Sequence, residues 1–73
     1  MPSDARAPAG ADYVVTLPSA GLNATFNGNP VVVTETQTPE GTKYKVAGTE
    51  IPTTGTLVFR DNTGNTVWTV DIY

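Results

Sequence analysis

The groups in this 73-residue chain that could do chemistry are seven carboxylates, four basic side chains and a set of hydroxyls, with no histidine and no cysteine. Ser3, Ser19 and the threonines are the candidate nucleophiles. Without an imidazole to take the proton, neither a Ser-His-Asp nor a Cys-His arrangement can be built. A Ser-Lys variant needs a desolvated amine, yet Lys43 and Lys45 alternate with Tyr44 and Val46 in a pattern that turns the amines to water. Asp12, Glu35, Glu40, Glu50, Asp61 and Asp71 could serve in acid–base pairs only if two of them faced each other across a cleft. At turns and on polar faces they read as solvated surface.

Two short patterns bear on ligands. "DNTGN" at 61–65 gathers oxygen donors round a glycine, but the glycine is fourth and no distant glutamate follows, so the calcium-loop spacing fails. A hairpin loop is the expected reading, because Asp, Asn and Gly favour turns on their own account. "NAT" at 23–25 matches a glycosylation acceptor, which matters only in an exported chain. Trp68, Tyr44, Phe26 and Tyr13 could stack a flat ligand, but most lie where a core is needed, leaving Tyr13 and Tyr73 as the plausible exposed rings. No glycine-rich nucleotide motif is present, so no cofactor and no metal are expected, and the chain is read as a non-enzyme.

The elements that must carry these groups follow from composition. A chain this short buries only about 60% of its unfolded surface, and small scaffolds usually add disulfides, a metal or association. With no Cys or His, association is the favoured route. A net charge of −3 has the wrong sign for a phosphate backbone, so nucleic acid is not an expected partner. No run approaches the roughly 20 apolar residues that span a bilayer, and no basic region precedes an apolar stretch at the N-terminus, so neither a membrane nor a secretory signal is expected. Threonine at 13 positions, with seven glycines and six prolines, favours strands over helices.

Along the chain, residues 1–11 ("MPSDARAPAGA") show no periodic apolar face and are expected to form an extended arm with no reason to hold itself. Residues 12–73 then form one β domain. "DYVVTL" places Tyr13, Val15 and Leu17 on one face, and "LNATF" places Leu22, Ala24 and Phe26 together. Asn27-Gly28 suits a tight hairpin. "VVVTETQT" reads as one strand of ambiguous facing, "PEG" at 39–41 as a turn, and "TKYKVA" as a strand with Tyr44 and Val46 inward. Residues 48–54 are a connector. The closing hairpin aligns Leu57, Phe59, Trp68, Val70 and Ile72 as the centre of the core with Phe26 and Tyr44. The expected fold is all-β, a small antiparallel sandwich or partly open barrel of hairpins with an extended N-terminal arm.

These features point to a structural protein of an assembly, most concretely a bacteriophage capsid decoration protein that binds a protein lattice through its arm and a sheet edge. The Thr-, Gly- and Asn-rich composition is similar to that of phage head-decoration proteins in general, without matching a family motif. The expected partner is the major capsid protein or further copies of the chain, in an oligomer or on a lattice, with a virion location or otherwise a cytoplasmic one. Pro2, Arg6, Pro8, Tyr13 and Val32 are the expected contacts. The alternative is a small binding or inhibitory module acting through "NGNP", "PEGT" and "DNTGN" as hairpin tips.

Overall fold

The computed structural model describes residues 4–73. In chain order its strands are β1 (Asp4–Ala7), β2 (Tyr13–Leu17), β3 (Asn23–Phe26), β4 (Asn29–Val31), β5 (Thr34–Thr38), β6 (Gly41–Val46), β7 (Gly55–Arg60) and β8 (Thr66–Ile72). They form two sheets, β1-β8-β7-β3-β4 and β2-β6-β5. The all-β expectation holds, as a two-layer sandwich. Lettered in chain order with β1 as A′, the sheets read A′GFCC′ and BED, the connectivity of immunoglobulin-type sandwiches. That is a likeness of fold alone.

Period-two patterning builds both layers. Leu57, Phe59, Val70 and Ile72 from the larger sheet meet Tyr44, Val46 and Leu17 from the smaller one, and all seven side chains are buried. Tyr44 and Phe59 touch edge-to-face across the layers, with ring centroids 5.5 Å apart. Asn27 and Gly28 take positive φ at the β3–β4 turn, as the hairpin requires. On β6 the alternation of buried Thr42, Tyr44 and Val46 with exposed Lys43 and Lys45 follows the sequence pattern.

Four expectations need correction. The segment 1–11 is, over Asp4–Ala7, a strand of the fold and not a free arm: it pairs parallel with β8, so the sandwich is not wholly antiparallel. The alternation Asp4-Ala5-Arg6-Ala7 is itself period two, and its alanines are small enough to lie opposite Val70 and Ile72, with Ala7 in the core. Two backbone bonds continue the attachment, from Tyr73 N–H to the Ala7 carbonyl (3.0 Å) and from Ala9 N–H to the Tyr73 carbonyl (2.7 Å).

The stretch 31–38 is two strands, because the chain changes sheets at Val32-Val33. Trp68 is only partly buried: it packs on the flank of the core, and its Nε1–H donates to the Tyr13 hydroxyl at 2.8 Å. A register shift at Phe59/Arg60 displaces the β7–β8 pairing beside it. The connector 48–54 is more than a link. It contains a 3-10 turn, Gly48–Glu50, and delivers Ile51 to the core with no exposed surface. Gly48 is required there because a Cβ would collide with the backbone of Gly10 and Ala11.

Candidate functional site

Three surfaces of the sandwich carry groups able to meet a partner. The first is the outer face of β1 and β8. Arg6 stands directly opposite Asp71 in the parallel register, with Nε 3.9 Å from Oδ2, and its guanidinium lies 4.7 Å from the centroid of the Tyr73 ring. Both charges are largely in water, so the pair contributes at most about 1 kcal/mol. Its effect is to hold Arg6 flat against the sheet. A shallow groove of about 390 Å³ beside it is lined by Ala5, Arg6, Thr56, Thr69 and Asp71.

The second surface lies on the outside of the smaller sheet. Val31 and Val33 turn inward at the crossing between β4 and β5, which leaves Val32 74% exposed. Its N–H donates to Glu50 Oε1 at 3.2 Å, fixing the bend. Val32 lines a groove of about 410 Å³ with Asp12, Thr34, Lys45, Ala47 and Glu50, and Lys45 Nζ lies 3.7 Å from Asp12 Oδ2. Val14, opposite Lys45 in the ladder, is 47% exposed on β2.

The third is one end of the sandwich. Because Leu17 pairs with Thr42 and Asn23 with Arg60, the loops 18–22, 39–40 and 61–65 cluster at that end. They are tied down individually. The Tyr44 hydroxyl donates to the Ser19 carbonyl and accepts the Leu22 N–H at 3.3 Å, while Gly21 N–H donates to Glu35 Oε2 at 3.3 Å. Burial pushes the Tyr44 phenol above its ordinary range, partly offset by that Leu22 bond. Asp61 Oδ1 accepts from the Thr63 hydroxyl (2.6 Å), the Thr63 N–H (3.0 Å) and the Asn65 N–H (2.9 Å). The Thr63 hydroxyl and the Asn65 N–H hold the carboxyl below its usual range. With three donors aimed at one oxygen, this carboxylate is the clasp of a hairpin loop.

Of the expected contact residues, Arg6 and Val32 fall on opposite faces of the sandwich, Arg6 on the larger sheet and Val32 at the crossing beside the smaller one. Pro8 is exposed on the turn after β1, and Pro2 lies outside the described residues. Tyr13 belongs to the seam between the layers, where burial raises its phenol pKa and the Trp68 bond pulls it down. The four described residues therefore do not form one surface. Among the proposed tips, "PEGT" and "DNTGN" share an end, whereas "NGNP" lies at the opposite end with the C-terminus. Asp71 and Val14 were not among the expected contacts: alternation with Ile72 and Val15 marks each as outward, but only strand pairing puts Arg6 and Lys45 beside them.

Among the described residues no cluster of acidic side chains suits a metal, and no helix is long and apolar enough to cross a membrane. Compared with known proteins, the chain matches no family model and no curated relative.

Proposed function

We propose that this is a non-catalytic assembly protein that binds other proteins, with decoration of a bacteriophage capsid lattice as the most concrete form. The observation that carries the reading is the placement of exposed large apolar groups on opposite faces: Val14 on the smaller sheet with Val32 beside it at the crossing, and Tyr73, 53% exposed beneath Arg6, on the larger. A molecule seated between neighbours in a lattice needs contacts on more than one side. With Asp4–Ala7 docked on β8, the N-terminal segment contributes through the Arg6 side chain.

A second reading, the soluble binding or inhibitory module, is favoured by the loop cluster at one end, whose internal hydrogen bonds preorganise it. Cosedimentation with capsids from the source encoding the chain separates the two. The assembly reading expects saturable binding at a fixed copy number per capsid, weakened by Arg6→Glu or Val32→Asp and indifferent to Asn62→Ala. Absence of saturable binding to the capsid refutes the decoration reading. A soluble complex with one protein, lost on loop substitution, supports the module.

A further inference from the structure

Among the described residues the sandwich has four edge strands, and three of them are protected in familiar ways. β1 carries the charged Arg6 and is followed by Pro8, β4 is three residues long with Pro30 at its centre, and β5 carries Glu35 among polar neighbours. β2 is different. Its five residues, Tyr13-Val14-Val15-Thr16-Leu17, contain no charge, no proline and no glycine, and among the described residues it pairs only with β6. Among the described residues, no side-chain hydrogen bond reaches the backbone of this strand, and Pro18 ends it cleanly. Val14 and Thr16 are exposed on its outer face.

We infer that the open edge of β2 is a self-association seam: two copies of this chain pair β2 against β2, antiparallel about Val15. The two three-stranded sheets become one of six, with two-fold symmetry. This rests on the reading of the protein as an association module and names its first partner as a second copy.

Self-complementarity is the argument for a second copy. Antiparallel pairing centred on Val15 sets Tyr13 opposite Leu17 and Val15 opposite Val15 on the inner face, and Val14 opposite Thr16 on the outer. Every cross-strand pair is then β-branched, aromatic or aliphatic, the types that stabilise ladders, and no like charges meet. The nearest lysines, Lys43 and Lys45, sit one strand back on each side. Each seam row therefore runs Lys43, Thr16, Val14, Lys45, with two neutral residues separating the charges of the two copies. The edge amides and carbonyls of each strand gain partners, as in other strand additions.

The test is sedimentation equilibrium of the full chain at up to about 1 mM, the range in which weak edge pairing registers. A species of about twice the 7.7 kDa chain mass is expected. The V14E/T16E double variant places glutamate opposite glutamate across the seam, while within one copy each faces Lys45 or Lys43, so the fold is retained. It should weaken the dimer about tenfold or more. The exchanged variant V14T/T16V preserves every pairing type and should stay dimeric. A wild-type chain that remains monomeric overturns the inference and leaves capsid cosedimentation as a separate question. A dimer unaffected by V14E/T16E also overturns it, because the association would then lie on another surface.

Discussion

Replacing Tyr44 by Phe removes one oxygen from the middle of the molecule and nothing else. The ring is buried without exposed surface and meets Phe59 edge-to-face, a contact that phenylalanine keeps. What is lost is the hydroxyl that donates to the Ser19 carbonyl and accepts the Leu22 N–H, so the 18–22 loop loses its anchor to the smaller sheet. Ser19 is exposed and its carbonyl can turn to water, whereas the hydroxyl–Leu22 bond is buried. The expected cost is one unsatisfied buried donor plus one exchangeable bond, about 1–2 kcal/mol. For a domain of this size each kcal/mol moves the melting midpoint by about 4–8 °C, so Tm should fall by about 5–15 °C. Urea unfolding followed by Trp68 fluorescence gives the stability change, and amide exchange at Gly21 and Leu22 locates it. A Tyr44→Phe chain as stable as the wild type, or one destabilised with unchanged Leu22 exchange, would refute the hydroxyl's role as the anchor.

Two further outcomes follow from burial and from charge. Ile51→Ala, at a fully buried site, should cost about 2–5 kcal/mol, while Tyr13→Phe, which only deprives Trp68 of its acceptor at the flank, should cost about 0.5–1.5 kcal/mol. Denaturant midpoints in the opposite order would show that the connector is not part of the core. The Asp61 carboxyl titrates below its ordinary 3.8 because the folded loop supplies donors to its charged form. With the folded pKa depressed, its contribution to stability is fully present above the unfolded value and is lost as pH falls through the folded one. The Thr63 and Asn65 amide resonances should therefore move only below about pH 4, and Asp61→Asn should abolish that movement. A transition centred above the ordinary carboxyl range would contradict the clasp.

Most of the strands were legible in the chain because alternation is a local signal. Leu22-Ala24-Phe26, Tyr44-Val46 and Leu57-Phe59 each announce their inner face without reference to any other segment. The N-terminal strand was not, since its inward residues are alanines, too weakly apolar to register until β8 offers Val70 and Ile72 opposite them. Ile51 was hidden in a similar way: one isoleucine in "GTEIPTT" carries no period, and its burial depends on where the 3-10 turn swings it. Of the candidate surface, Arg6 and Val32 could be named but not located, because Arg6 lies on the larger sheet and Val32 in the crossing to the smaller one.

By itself the sequence determined the class and much of the chemistry. Alternating apolar residues make an all-β chain, turn residues punctuate it, and the lack of His and Cys removes the usual nucleophile–base pairs and disulfides. Only the tertiary structure decided that the chain changes layers at Val32-Val33, that residues 4–7 close the larger sheet, and that β2 is left as an uncharged edge. The physical reason is that alternation specifies which side of a strand faces inward but says nothing of its neighbours. Neighbours are chosen by long-range backbone pairing and by the shapes that fit across the core.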